Sequence, residues 1–157
     1  MTDLVTARLV LHPLDAVEGR RILAGLPSRG DRWARGYPFE GDVAAVTAFL
    51  RGGAPQPFGV YQIRAGGLAI GGIGFHAPPD EDDSVEVGYG LIPSARGRGY
   101  AREALCELLS IARSHGIVRV RGTTTRDNVA SQHVMVAAGM LLVAEDDALK
   151  HYETGWA

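Results

Sequence analysis

Apolar and polar positions along this chain follow two rhythms, and the switches between them mark out its elements. Apolar residues from Leu4 to Leu14 gather around Leu9, Val10 and Leu11, which predicts a first strand ending near Pro13. Asp15 to Leu26 changes to helical spacing, with Val17, Ile22, Leu23 and Leu26, and Pro27-Ser28-Arg29-Gly30 breaks it. A second helix is predicted after Gly41, with Asp42 as N-cap, a stripe of Val43, Val46, Phe49 and Leu50, and Gly52 and Gly53 at its end. Two strands, Phe58 to Arg64 and Leu68 to His76, flank a hairpin at Ala65-Gly66-Gly67. After an acidic loop, Asp80 to Asp83, come a strand from Val85 to Ile92 and a helix from Arg102 to His115 striped by Leu105, Leu108, Leu109 and Ala112. A strand at Val118 to Thr124, a helix at about Asn128 to Ala138, and strands Met140 to Ala144 and Lys150 to Trp156 complete the chain. There are no repeats and no linker, and the order predicts one mixed α/β (α+β) domain over residues 1–157.

The strand from Val85 has two unlike faces. Val85, Val87, Tyr89 and Leu91 point one way, as a core face, while Glu86, Gly88 and Gly90 point the other. Glycines inside a strand give up stability, so a face of bare backbone beside one carboxylate is expected where a ligand or another chain comes close, with an exposed face and a solvated glutamate as the competing reading.

The strand runs into Arg96-Gly97-Arg98-Gly99-Tyr100-Ala101, a cationic, glycine-rich turn at the start of a helix. Unpaired amides and the helix dipole favour an anion there, and glycines let a phosphate approach the backbone; a pyrophosphate is the natural guest. The turn meets neither the G-x-x-x-x-G-K-[ST] nor the G-x-G-x-x-G spacing, because no lysine follows as the first requires and Arg102 holds the third glycine position of the second.

Composition narrows the reading. The chain has 157 residues, 46% hydrophobic and 22% charged, with a formal net charge of -2, an ordinary globular balance with no field for gripping nucleic acid. Its one cysteine, Cys106, is expected to be a buried small apolar residue in the helix from Arg102. No apolar run approaches the ~20 residues of a membrane span, no basic-then-apolar leader opens the chain, and a cytoplasmic protein without membrane contact is expected. The five histidines form no ligand-spaced cluster with one another or with Cys106, so no metal site is expected.

Arg96, Gly99 and Ala101 fit [R/Q]-x-x-G-x-[G/A], which resembles the acyl-CoA loop of the GNAT superfamily of N-acetyltransferases. Thr6-Ala7-Arg8-Leu9 resembles that family's opening strand, and Val85-Glu86-Val87-Gly88-Tyr89-Gly90 its fourth. Asp127-Asn128-x-x-Ser131 with Gly139-Met140 resembles its last motif. The opening text and the Asn128/Ser131 form are most similar to the branch containing the ribosomal-protein N-terminal acetyltransferases (RimJ/RimL-like). The resemblance covers nearly the whole chain. It implies a mostly antiparallel sheet of about seven strands, splayed between the fourth and fifth at a bulge, with about four helices.

It also implies residue roles. Backbone amides of Arg96, Gly97, Arg98, Gly99, Tyr100 and Ala101 would bind the pyrophosphate of acetyl-CoA, an acyl-donor cosubstrate. Pantetheine would lie in the splay against Leu91 and Ile92 and meet Asn128, whose other reading is a helix N-cap. Where many members carry a tyrosine as acid for the leaving thiolate, this chain has Met135, which leaves Ser131 or water.

The expected reaction is acetyl transfer to a primary amine, of a protein N-terminus or a small molecule. Glu86 is the expected base, a partly buried carboxylate with its pKa raised, and a backbone N–H near Gly90 or Leu91 would hold the oxyanion. Trp33 and Tyr37, between the first two helices, are candidate acceptor-contact residues, with ordinary packing as the competing reading. Asp80 to Asp83 is an attraction for a cationic amine or simply a solvated run, and His76 is expected to be structural rather than a second proton carrier. The competing reading keeps the fold without chemistry, as an acyl-CoA-binding sensor or interaction module. A monomer and a homodimer are equally compatible with the sequence.

Overall fold

The elements follow one another as β1 (Leu4–Val5), β2 (Leu9–Pro13), α1 (Ala16–Ala24), α2 (Glu40–Leu50), β3 (Val60–Ala65), β4 (Leu68–Phe75), β5 (Ser84–Leu91), α3 (Tyr100–Ser114), β6 (Arg119–Thr125), α4 (Val129–Ala137), β7 (Met140–Glu145) and β8 (Leu149–Thr154). A short 3-10 turn, Pro93–Ala95, links β5 to the loop before α3. These ranges come from a computed structural model that describes residues 2–156, so Met1 and Ala157 of the expected domain lie outside the described residues. All the strands join one sheet in the order β1-β2-β3-β4-β5-β6-β8-β7. Neighbours are antiparallel except β5 and β6, which run parallel. The class and layout match the expectation.

The strand beyond the expected seven arises at the N-terminus, where the run read as one strand folds back as β1 and β2, with Leu4 opposite Leu11. No glycine or proline makes that reversal. Thr6 closes it by pairing its backbone with Leu9, and the carboxylate of Glu103 in α3 accepts hydrogen bonds from the Thr6 hydroxyl and from the Arg8 amide.

Helix starts differ for local reasons. α2 begins at Glu40, and Asp42 sits in its first turn rather than at the cap, accepting the Phe39 N–H at 3.0 Å. α3 begins at Tyr100 because Gly99, at φ 80°, lets the chain enter the helix from a left-handed conformation that a side chain would resist. Its stripe of Leu105, Leu108, Leu109 and Ala112 is buried as read. Cys106 is exposed, contrary to expectation, because one residue turns the helix about 100° away from that stripe.

The alternation of β5 divides the helices. Gly72 of β4 faces Asp42 of α2, whereas Tyr89 of β5 reaches Ser131 in α4 on the opposite face. α1 packs on α2, and α3 packs on α4, so the sheet lies between two helical layers. Among the described residues no helix is long and apolar enough to cross a membrane.

The segment 27–39 is anchored to α1 by Arg21, whose Nε donates to Asp31 Oδ2 at 2.8 Å, with the Ser28 amide on the same oxygen. The Arg21 hydrogen bond, with help from Ser28 and against burial, holds the Asp31 carboxyl at about 2. That stabilisation is present above the unfolded value of 3.8 and is lost as pH falls toward 2. Asp31→Asn is therefore expected to cost about 1–2 kcal/mol at neutral pH. Thermal melts down the acid series should show the two proteins converging; a constant gap would rule the ion pair out as the cause.

Candidate active site

β5 and β4 keep one unbroken register from Phe75 opposite Val87 to Gly71 opposite Leu91. β6 accompanies β5 only from Ser84 opposite Arg119 to Val87 opposite Gly122. The sheet therefore splits after Val87 as the resemblance implied, but without a bulge in β5. His76 N–H donates to Glu86 O, and Ile92 N–H to Ile70 O. In an antiparallel ladder bonded pairs alternate, so Gly88 and Gly90 also turn to β4, while Tyr89 and Leu91 turn away from it. Past Gly122 β6 stays with β8 and no longer pairs with β5, so the N–H groups of Tyr89 and Leu91 face an open gap.

This corrects two expectations. Gly90 points its N–H into the sheet, so of the two candidate amides only Leu91 faces the gap, and Tyr89 joins it. Ile92 is buried with its N–H given to Ile70 and its carbonyl taken by Ala95, so it packs the core and offers the gap no backbone group.

The gap opens onto the loop before α3. Gly97 and Gly99 have φ of 78° and 80°, which turns the chain so that the amides of α3's first turn lie ahead of it. Arg96 donates from Nε to Leu91 O at 3.1 Å, and its guanidinium lies 5.4 Å from the Phe39 ring centroid. Its side chain braces the loop and its charge stays beside it. Arg8 does the same from the other side, donating to Arg98 O at 2.8 Å and pairing with Glu103 at 2.7 Å, with Tyr100 beneath it. Burial pushes the Glu103 carboxyl up, but hydrogen bonds from Thr6 and Arg8 outweigh it and hold the group below its ordinary value. The Thr6-Ala7-Arg8-Leu9 motif is thus a latch on the loop.

Across the gap, Asn128 is the N-cap of α4, accepting Ser131 N–H on Oδ1 at 3.2 Å and leaving its amide nitrogen for a ligand. Ser131 Oγ lies 2.9 Å from the Tyr89 hydroxyl. Burial raises the Tyr89 phenol pKa, against the Ser131 hydrogen bond. Met135 is buried against Gly122, so it fills space beneath β6 rather than presenting a polar atom.

On the opposite face, α2 roofs a cleft of about 390 Å³ whose floor is Gly72, Gly74, Gly88 and Gly90. Gly72 lies opposite Gly90 and Gly74 opposite Gly88, so the bare faces of two strands coincide. His76 stands over Gly88, where any Cβ would collide with its ring, and its Nδ1 is 3.0 Å from Glu86 Oε1. Glu86 is not the partly buried group expected: 48% of its side chain is exposed, because Gly88 beside it offers no cover. His76, read as structural, is its hydrogen-bond partner.

Of the aromatic pair, Tyr37 lines the cleft, buried, with its hydroxyl accepting from Gln62 Nε2 at 3.1 Å. Burial raises its pKa further than the Gln62 bond lowers it. Trp33 sits behind Tyr37, edge-on at 5.4 Å and bridged to Ala69, away from the cleft. Asp80 spends its carboxylate on the amides of Asp82 and Ser84, which hold its pKa down, so this acidic loop is a built turn. Among the described residues no group of His, Cys, Asp and Glu is placed to hold a metal.

The sequence reading missed two site groups. Tyr89 passed for core because its face is apolar. Asp42 passed for a cap, yet it is 8% exposed, lines the cleft, and burial pushes its carboxyl up to about 6 despite the Phe39 N–H. The signal for the second was the glycine spacing of Gly72 and Gly74 against Gly88 and Gly90, which sets two bare faces side by side.

A split sheet beside an amide-rich loop is a shape known from other proteins. A family model described as an acetyltransferase (GNAT) domain matches residues 8–141, and the chain belongs to that family. YjdG, an uncharacterized N-acetyltransferase of Bacillus subtilis, is 33% identical over 84 residues, 53% of this chain and 50% of YjdG. The chain spans about half the length of the curated relatives it matches. Among solved structures, an acetyltransferase from Agrobacterium tumefaciens superposes with a TM-score of 0.71 at 24% identity, over 99% of this chain and 95% of that one. RimL, a ribosomal L7/L12 alpha-N-protein acetyltransferase in complex with coenzyme A, gives a TM-score of 0.69 at 18% identity, over 96% and 95%. At such identities the structural likenesses speak for the fold.

Proposed function

We propose that this protein transfers an acetyl group from acetyl-CoA to a primary amine, of a small molecule or a protein N-terminus, by direct attack on the thioester. The observation that carries the reading is the gap beyond Val87, faced by the N–H groups of Tyr89 and Leu91 and continuous with the loop at Arg96 to Ala101. A diphosphate seated on that loop leaves a slender arm running back along β5. The arm meets Leu91 first and brings its thioester to Tyr89, whose N–H is the donor for the oxyanion.

An amine with a pKa near 10.4 is protonated at pH 7, so presenting its free form costs about 4–5 kcal/mol. Glu86, hydrogen-bonded to His76 at the cleft mouth, takes that proton directly or through water. The leaving thiolate lies toward α4, where Ser131 supplies a proton with the Tyr89 phenol behind it.

Thiol release from acetyl-CoA with a panel of amines tests the reading. Release that depends on the acceptor is the expected result, whereas binding of acetyl-CoA without it would leave only a sensor. Stabilisation by acetyl-CoA but not by ATP in thermal melts would separate an acyl-CoA site from a general phosphate site. Arg8→Ala, which frees the loop from Glu103, is expected to raise the KM for acetyl-CoA about fivefold, roughly 1 kcal/mol, with little change in kcat. An unchanged KM would remove the latch from the binding site.

A further inference from the structure

Among the described residues, Asp42 is a carboxylate of the cleft under α2 that has no counter-charge. Asp42 Oδ2 accepts the Phe39 N–H, while Oδ1 lies directly over Gly72, close enough that a Cβ there would stand 2.8 Å from it. Oδ1 has no protein hydrogen bond among the described residues, and burial pushes the carboxyl up against the Phe39 amide. Around it the cleft is mostly apolar, with Ala45, Val46, Phe49 and Ile73 beside the glycine floor, and the Tyr37 hydroxyl, which accepts from Gln62, feels its charge. Burying an ionised carboxylate without a counter-charge is costly, and such groups persist where a partner arrives. Capping α2 explains Oδ2 alone. It explains neither the 8% exposure nor the glycine that makes room for Oδ1.

Position gives the group its meaning. Gly72 is opposite Gly90, and the His76 ring stands over Gly88, a diagonal neighbour of Gly72. Such neighbours are about 7–8 Å apart. The Glu86–His76 pair and Asp42 thus stand above one glycine floor, separated by the length of a short alkyl chain.

We propose that Asp42 selects acceptors that carry a second positive charge: one nitrogen is acetylated beside His76 and Tyr89, the apolar body lies on the glycines, and a cationic nitrogen docks on Asp42 Oδ1. This rests on the acetyl-transfer reading and names the acceptor class for that site, a short aliphatic diamine or an amine bearing another cationic group.

Cadaverine and pentylamine share one carbon chain and differ by one ammonium, so they isolate the charge. With the wild-type protein and saturating acetyl-CoA, kcat/KM for cadaverine is expected to exceed that for pentylamine at least tenfold. Asp42→Asn keeps an acceptor for the Phe39 amide and removes the charge, and should bring the ratio close to one. Gly72→Ala, whose methyl would push Oδ1 aside, should lower the ratio by an independent route. The ratio is the readout, so a general loss of activity in either variant does not imitate the effect. Acetylation of both amines with no wild-type preference, or a preference that survives Asp42→Asn, overturns the role of Asp42 and leaves acetyl transfer standing. Absence of transfer to these and to every amine of the panel would sink the acetyl-transfer reading, and the acceptor class with it.

Discussion

Glu86→Gln is expected to lower kcat at neutral pH about a hundredfold while the dissociation constant for acetyl-CoA stays within about twofold. The asymmetry follows from position. Glu86 stands on the glycine face of β5, bonded to His76 of the cleft lining, whereas the groups placed for the donor lie in the gap and in the loop before α3. Raising the pH supplies free amine without help from a base, so the deficit should narrow toward the amine's own pKa near 10.4. His76→Ala should give a smaller loss of the same shape, because it removes the partner and leaves the carboxylate. A rate unchanged in Glu86→Gln at neutral pH, or a deficit constant to high pH, would exclude proton removal as the role of this residue.

Asp42→Asn is expected to make the protein more stable at pH 7–8, by about 1–3 kcal/mol. The folded carboxyl is pushed up to about 6 from 3.8 unfolded, mainly by burial, so the folded state holds the proton more tightly. Stability from that proton is complete below 3.8 and is lost as pH rises through about 6. The titratable groups lining the same cleft are Tyr37, Tyr61, His76 and Tyr89. The variant's advantage in melting temperature should therefore shrink as pH falls from 7 to 4. A variant less stable than wild type at pH 8 would mean that the α2 cap outweighs the buried charge. A gain in stability together with loss of the diamine preference is the trade expected where a strained group serves binding.

How far the molecule is legible in its sequence depends on whether the causes are local. The order of strands and helices follows from periodicity, and the glycine face of β5 is visible in Gly88 and Gly90 alone. The reversal at Thr6 is invisible because the group that fixes it, Glu103, lies far along the chain. Asp42 looks like any acid at a helix start until Gly72 is brought beneath it. The freedom of the Tyr89 amide depends on where β6 parts from β5, which no local pattern in either strand encodes. The exposure of Cys106, by contrast, was readable, since it falls beside the stripe of Leu105 and Leu108 and not on it.

The short parallel seam between β5 and β6 divides the sheet into two leaves hinged on Ser84–Val87 and Arg119–Gly122. A guest threaded between them acts as a splint, replacing rungs that the protein itself omits. Amide protons of Tyr89 and Leu91 should then exchange fast in the empty protein and slowly when it is filled. Opening of the leaf that carries β6, β8 and β7 should slow with them, so occupancy would be recorded as cooperativity of unfolding far from the point of contact.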